Sequence, residues 1–228
     1  MISAAAASLK PQLGADFSDK KRRSLEGIEP SVFANIYQEE VNIVTWKRSL
    51  SETLKLSASE FIAANPTFKT VMTVSPQTAY ASISEALGSA GQTELAENIA
   101  ELVDMYCCLF DLKRVGLRLT ALDRAMCPKF HVDAVPCRLV TTYQGVATQW
   151  LPHQAVNRSK LGIGSRGISD NESGLYRDES DIQQLVCGDV ALLKGESWLG
   201  NKHAGLVHRS PALTDSNYRL LLTLDFSD

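Results

Sequence analysis

Apolar residues in the first half of the chain recur at the spacing of an α-helix. The clearest case is Thr93–Phe110, where one apolar stripe predicts a helix with a single buried face. That stripe consists of Leu95, Ile99, Leu102, Val103 and Tyr106. Weaker runs of the same period begin at Pro30 and cover residues 57–62 and Pro76–Leu87. We therefore predict a helical region over residues 26–111, preceded by a flexible tail over residues 1–25.

From about Lys113 onward the pattern changes to an alternation with a period of two. Such alternation is typical of strands that are buried on one face. The predicted strands cover residues 115–122, 138–143, 190–194, 205–208 and 218–226. No helical pattern separates them, so we predict an α+β chain. Residues 112–228 would form an antiparallel sandwich or barrel, and the helical region would pack on it.

Residues 157–181 follow neither period. Four glycines lie there among serines and charged residues. An irregular segment of this length inside a compact domain is usually either functional or a flexible insertion. The sequence leaves both interpretations open: a mobile flap at the mouth of the β-domain, or an insertion without a role.

The composition is that of a soluble globular protein, with 44% hydrophobic and 21% charged residues. The net charge of −3 argues against non-specific binding to nucleic acid, which needs a basic surface. No run approaches the roughly 20 apolar residues that span a membrane, and the five cysteines show no paired spacing. We expect a cytoplasmic protein that binds neither nucleic acid nor a membrane and acts on a small molecule or a protein.

Two histidines and one aspartate are the candidates for a metal site. His131 and Asp133 are two residues apart, so on a strand both side chains project from the same face. His208 lies on a later predicted strand, after the tight turn predicted at Gly188 and Asp189. The alternative is a β-sandwich in which the His-x-Asp pair is accidental.

Other residues of the chemically useful types have simpler interpretations. His153 and His203 lie in predicted loops, where we expect them to be solvated. Cys127 shares strand parity with His131 and could border a metal, but a small buried apolar residue is the simpler interpretation.

Arg219 lies in a strand whose alternate residues are apolar. Leu220, Leu222, Leu224 and Phe226 share one face, so Arg219 and Thr223 must point to the other. An arginine directed into a barrel is costly without an anionic partner. Its guanidinium fork fits a carboxylate, which is either an internal acid, such as Asp189 or Glu196, or an exchangeable one.

The set His131-x-Asp133, His208 and Arg219 resembles the iron(II)- and 2-oxoglutarate-dependent dioxygenases of the double-stranded β-helix (jelly-roll, cupin-like) fold. That resemblance implies that both histidines and Asp133 bind iron at the catalytic centre. It also implies that Arg219, eleven positions after His208, binds the far carboxylate of 2-oxoglutarate. Tyr143 and Thr223 are further candidates for binding this co-substrate. Many relatives carry a hydroxyl residue two positions after the arginine, where this chain has Leu221.

A second resemblance rests on residues 127–133, 138–143 and 150–152. These segments resemble a bacterial family of proteins of unknown function, DUF1826, whose genes often neighbour those of zinc-metallochaperone GTPases. This resemblance implies a metal context, with zinc as an alternative to iron. The alternative to an oxygenase is therefore a non-catalytic, cupin-like metal-binding accessory protein linked to zinc homeostasis.

Overall fold

Ten β-strands and four α-helices make up the described part of this computed structural model, which covers residues 21–88, 92–213 and 218–227. The strands are β1 (Arg23–Gly27), β2 (Val41–Trp46), β3 (Lys69–Val74), β4 (Val115–Leu122), β5 (Cys137–Gln144), β6 (Gln149–Leu151), β7 (Gln183–Gln184), β8 (Val190–Lys194), β9 (Val207–Arg209) and β10 (Arg219–Phe226). The helices are α1 (Glu52–Ala64), α2 (Pro76–Leu87), α3 (Thr93–Phe110) and α4 (Asp170–Ser173). A longer 3-10 helix covers Pro30–Tyr37. No helix in these ranges is long and apolar enough to cross a membrane.

The strands form one large and one small sheet. The large sheet has the order β1-β2-β8-β5-β10-β4-β3, and its neighbours are antiparallel except for β1 and β2. The small sheet has the order β7-β6-β9, and His131 extends it through a single bridge to His208. From β4 to β10 the chain crosses repeatedly from one sheet to the other, so the two sheets are built together.

The first three helices cover one face of the large sheet. The apolar stripe of α3 packs in one core cluster with alternate residues of the central strands, among them Leu119 and Leu222. Tyr106 of the same helix donates a buried hydrogen bond to the Cys137 carbonyl oxygen at 2.6 Å. Because this face is filled by apolar side chains, the polar residues of the same strands are directed to the opposite face, towards the small sheet.

Strand β10 shows this division most clearly. Leu220, Leu222 and Leu224 are buried in the core beneath the helices. Arg219 and Thr223 line a cavity on the other side. The predicted parity of this strand is therefore confirmed.

The region predicted as helical is a mixture of helices and strands. Helices α2 and α3 have the predicted bounds, but β1, β2 and β3 also lie in or next to this region and join the large sheet. The run that begins at Pro30 is a 3-10 helix rather than an α-helix. Strand β2 was missed because both of its faces are buried, with Asn42 and Thr45 among apolar residues, and such a short run carries no period of two.

The predicted N-terminal tail is too long at its C-terminal end. Residues 23–25 belong to β1, which pairs with β2 in parallel. The rest of that prediction, over residues 1–20, lies outside the described residues.

The segment 157–181 is not structureless. It contains α4 and three single-turn 3-10 helices. Leu175 and Tyr176 anchor it in a small apolar cluster with Phe130, the residue before His131. The segment therefore covers the outside of the small sheet next to the candidate metal site, and its mobility stays a prediction.

The two faces of β10 predict opposite responses to substitution. Leu222 is fully buried, so Leu222→Ala should lower the free energy of unfolding by about 2–5 kcal/mol. The Thr223 hydroxyl is buried without a hydrogen-bond partner, so Thr223→Val should be neutral or slightly stabilising. Urea unfolding of the two variants measures this contrast. Equal destabilisation by both would show that the two faces are assigned wrongly.

Candidate metal centre and adjoining pocket

His131 and His208 are neighbours across an antiparallel bridge. The N–H of each residue donates to the carbonyl oxygen of the other at 3.0 Å. The ring centroids lie 4.6 Å apart. Strand pairing therefore fixes the backbones of both residues and brings the two imidazoles together at one end of the small sheet.

Asp133 completes the cluster that the sequence predicted. Its Oδ1 lies 3.8 Å from Nε2 of His131, and its Oδ2 lies 3.3 Å from Nε2 of His208. One ligand atom from each residue falls within 4.8 Å of the others. The structure thus brings together the three predicted metal ligands.

Backbone carbonyl groups orient the two imidazoles. His131 Nδ1 lies 2.9 Å from the Lys129 oxygen, and His208 Nδ1 lies 3.3 Å from the Leu206 oxygen. With the proton on Nδ1, each neutral ring donates to its carbonyl and leaves Nε2 free to bind a metal, whereas His208 protonated on both nitrogens donates from Nε2 to Asp133. Burial, followed by the charge of His208, lowers the pKa of His131, which favours the neutral form that binds metal.

Arg138 holds the carboxylate of Asp133 in place. Its Nη1 donates to Asp133 Oδ2 at 2.8 Å, while Nε and Nη2 form a fork on Asp225, also at 2.8 Å. Burial raises the pKa of Asp133, but the hydrogen bond and charge of His208, then the charges of Arg138 and His131, lower it to about 2. The Asp133 carboxyl group is therefore ionised at neutral pH, as a metal ligand must be.

The loop after Asp133 packs directly on the backbone that follows β8. The Gly195 N–H donates to the Pro136 oxygen, and the Glu196 N–H to the Asp133 oxygen, both at 2.9 Å. A Cβ atom on Gly195 would lie 2.0 Å from the Val135 oxygen and 2.8 Å from the Asp133 oxygen. Only glycine leaves room for this contact, which sets the position of Asp133.

The donor set fits a divalent transition metal. Two neutral imidazole nitrogens and one carboxylate oxygen converge, and His131 and His208 also line an open cavity. Iron(II) accepts this set with positions left for other ligands, and zinc accepts the same atoms. The ion would be held by His131, Asp133 and His208. Its remaining ligands would be molecules bound in the cavity.

The cavity beside the cluster has a volume of about 60 Å³ and opens to solvent. Its wall from the large sheet comes from β4, β5, β8 and β10, and its mouth includes Met126 and Cys127. Cys127 is exposed there, so the prediction of a small buried residue is wrong.

Arg219 is buried in the wall of this cavity and is 1% exposed. Its Nε and Nη2 donate to the Thr142 hydroxyl at 3.3 and 3.1 Å. Nη2 also donates to Thr148 at 2.7 Å, and Nη1 to Ser210 at 3.3 Å. Burial lowers the pKa of Arg219 to about 10, so the side chain keeps its charge at neutral pH.

Within the described ranges, no carboxylate forms an ion pair with Arg219. Asp189, one of the two predicted internal partners, is paired with Lys47 at 2.7 Å. The other, Glu196, accepts the His203 N–H at 2.8 Å. The alternative of an internal acid is therefore wrong for both residues, and the hydrogen-bond partners of the guanidinium in the described part of the chain are hydroxyl groups.

Tyr143 is not part of the cavity, although it was predicted to bind a co-substrate. Its hydroxyl donates to Asn98 Oδ1 at 2.9 Å, and its ring lies in the core beneath the helices. Even-numbered residues of β5, such as Arg138 and Val140, line the cavity. The odd-numbered residues, including Tyr143, therefore face the helices. Thr223 does line the cavity, as predicted.

The other two histidines lie outside the cluster. His153 is half-buried against Arg158, with 3.1 Å between Nδ1 and Nη2, whereas His203 is exposed as expected. Burial, then the charge of Arg158, lowers the pKa of His153 to about 4.

Four residues that hold Asp133 or Arg219 in place were missed in the sequence. Arg138 shares strand parity with other cavity residues and follows Asp133 by five positions, which is a usable signal. Thr142 shares the parity of Arg138. Thr148 and Ser210 lie outside regular strands, where no periodicity marks them.

Comparison with known proteins identifies one family. The family model described as "Protein of unknown function (DUF1826)" matches residues 27–225. No curated protein matches the chain.

Solved structures similar to this chain include three oxygenases. A dioxygenase for auxin oxidation from rice has 10% identity and a TM-score of 0.49, with 90% of this chain and 82% of that chain covered. Dioxygenase for auxin oxidation 1 from Arabidopsis thaliana, in a complex with 2-oxoglutarate, has 10% identity, a TM-score of 0.48 and coverages of 90% and 91%. A prolyl-4-hydroxylase from Pseudomonas putida has 10% identity, a TM-score of 0.45 and coverages of 87% and 98%.

Removal of either imidazole should abolish stoichiometric metal binding. His131→Ala and His208→Ala each leave two ligands, whereas the wild type should bind one iron(II) or zinc(II) ion per chain. His203→Asn is the matched control, because His203 is exposed with a positive φ of 62° that asparagine tolerates. Metal content after dialysis measures the effect. Wild-type affinity in both alanine variants would disprove the ligand assignment.

Substitution of Gly195 should weaken metal binding without touching a ligand. Gly195→Ala pushes the loop that carries Asp133, so we expect a roughly 10- to 100-fold loss of affinity and a destabilisation of about 1–3 kcal/mol. Gly116→Ala is the control, since its nearest new contact is 3.8 Å away. Calorimetric titration with zinc(II) compares the two variants, and equal affinities would contradict the role of this contact.

Proposed function

The chain belongs to the DUF1826 family of proteins of unknown function, and we propose that it is a non-haem iron(II)- and 2-oxoglutarate-dependent oxygenase. The observation that carries this proposal is Arg219, a buried cation without an acidic partner in the described residues. It lines the same cavity as His131 and His208. A metal and a carboxylate-binding arginine in one cavity suit a co-substrate that is both a metal chelator and an acid.

We infer that the two sheets form a double-stranded β-helix. The strands β8, β5, β10 and β4 are consecutive in the large sheet, and β7, β6 and β9 with His131 form the facing layer. Successive segments of the chain alternate between these layers, which is the connectivity of this fold. In such an arrangement the cavity between the layers is the natural place for a metal and an organic ligand.

The three ligand residues would hold the iron on one side. Bound iron would supply the redox chemistry with dioxygen that no side chain of the cavity can carry out. Arg138 keeps Asp133 ionised and correctly turned, and the carbonyl groups of Lys129 and Leu206 fix the imidazoles. The protein's own contribution to the centre is therefore a rigid, open set of ligands.

Arg219 would bind the far carboxylate of 2-oxoglutarate. Ser210, which contacts Arg219, follows His208 by two residues, a rise of about 7 Å along an extended chain. A five-carbon diacid can span that separation. Thr142, Thr148 and Ser210 supply the hydroxyl groups that the position of Leu221 lacks.

The walls of the cavity would keep water away from the reacting groups. Val140, Leu193 and Leu221 line it between the charged ends, and Val140 and Leu193 are only 3% exposed. An apolar wall of this kind strengthens the attraction between Arg219 and a bound carboxylate.

The second candidate is a metal-binding accessory protein without turnover. The ligand set suits zinc as well as iron, which keeps this alternative open. A metal carrier, however, has no use for a buried guanidinium without an acidic partner. Arg219 therefore favours the oxygenase.

The discriminating experiment replaces Arg219. Arg219→Met should keep its iron(II) but lose 2-oxoglutarate binding by roughly 10- to 100-fold, because a charge-assisted pair is removed. The wild type should show slow decarboxylation of 2-oxoglutarate under air, and the variant should not. Arg114→Met, at an exposed arginine before β4, is the matched control for the loss of one charge.

Two results would contradict the proposal. One is a wild type that binds iron(II) but neither binds nor decarboxylates 2-oxoglutarate. The other is an Arg219→Met variant that loses only stability, which would make Arg219 a structural residue and favour the accessory protein.

A further inference from the structure

A second arginine, Arg118, faces the same cavity without a partner. It lies on β4 and is partly buried, and its Nε is shielded from solvent. It forms no hydrogen bond or ion pair within the described ranges, whereas Arg138 is paired with Asp133 and Asp225. A shielded guanidinium nitrogen without an acceptor is costly unless a ligand provides one.

Two hydroxyl groups beside Arg118 are also without partners. Arg118 lies directly opposite Thr223 in the pairing of β4 with β10. The buried Oγ1 atoms of Thr223 and of Thr120, two residues after Arg118, form no hydrogen bond. All three side chains line the cavity next to the candidate metal centre. Three unsatisfied polar groups on one wall indicate a polar ligand at this place.

The cavity continues past Arg118 into a basic groove. The groove has a volume of about 440 Å³ and shares Arg118, Thr120 and Met126 with the cavity. Lys69 and Arg124 line it further out. Against these three cations the groove has one acidic side chain, Asp123. The path into the cavity is therefore electropositive and attracts anions.

Arg118 and Arg219 are placed for different ligands. Arg219 contacts Thr142 of β5, on one side of β10, whereas Arg118 belongs to β4 on the other side. Thr223, opposite Arg118, is four residues from Arg219, which corresponds to about 13 Å along the strand. The co-substrate at Arg219 thus leaves Arg118 available.

We propose that Arg118, with Thr120 and Thr223, binds the anionic group of the primary substrate, a small organic acid with an apolar body. This inference rests on the proposed function, because it names the substrate class of that same centre. Met126 and Leu221 provide the apolar surface next to the anion site. A carboxylate and a phosphate share the required chemistry, since both accept hydrogen bonds from a guanidinium fork and from hydroxyl groups.

The test measures binding of charged and uncharged probes to the full chain. Benzoate and phenyl phosphate are the anionic probes, and benzamide is the uncharged match. Titrations by ligand-observed NMR are carried out with manganese(II) and 2-oxoglutarate present, and again without them. At least one anionic probe should bind more tightly than benzamide. Whichever of benzoate and phenyl phosphate binds more tightly shows whether the site prefers a carboxylate or a phosphate.

Variants at Arg118 then assign the site. Arg118→Met should weaken binding of the anionic probe roughly 10- to 100-fold, the value of a charge-assisted hydrogen bond. Arg118→Lys should retain part of the affinity and shows that the position tolerates change. Arg114→Met should bind the probe like the wild type. Equal probe binding by Arg118→Met and the wild type, or failure of both anionic probes to bind the wild type, would overturn the proposal.

The same titrations separate this proposal from the proposed function. The proposal would be overturned if Arg118→Met lost 2-oxoglutarate binding and the probe competed with 2-oxoglutarate in the wild type. Arg118 would then bind the co-substrate. If the wild type binds an anionic probe through Arg118 but binds no 2-oxoglutarate, the anion site stands and the oxygenase assignment fails.

Discussion

The large sheet has two faces of opposite chemistry, and the rest of the structure depends on keeping them apart. Helices α1 to α3 cover one face with apolar side chains, so the polar residues of β4, β5 and β10 are directed to the other. There they meet the small sheet, which brings in His131 and His208. Arginines that are far apart in sequence, Arg118, Arg138 and Arg219, therefore share one cavity.

Charge balance within this cavity divides the arginines into two groups. Arg138 is neutralised by Asp133 and Asp225 and supports the candidate metal centre, and Arg209, which also lines the cavity, lies 3.6 Å from Asp170. Arg118 and Arg219 have no carboxylate partner in the described structure. A protein that buries uncompensated cations loses stability unless a ligand compensates them. Under the proposed function, this loss of stability would be recovered when two anions bind beside a metal.

Part of this arrangement was predictable from the sequence. The alternation in β10 predicted the direction of Arg219, and the spacing of His131 and Asp133 predicted their convergence. The periodicity could not reveal β2, which is buried on both faces, or Thr148, which lies in a loop. Tyr143 was assigned to the cavity by resemblance, although its strand parity places it in the core. Long-range contacts such as that of Gly195 with Val135 depend on the folded topology and leave no local pattern.

The most direct test of the central claim is an anaerobic absorption titration of the purified protein with iron(II) and 2-oxoglutarate. A charge-transfer band in the visible region forms when iron(II) and a 2-oxo acid are in direct contact. We expect the band only when both are present, saturating at one iron and one 2-oxoglutarate per chain. A protein that binds iron(II) at the three residues but gives no band at saturating 2-oxoglutarate would contradict the claim.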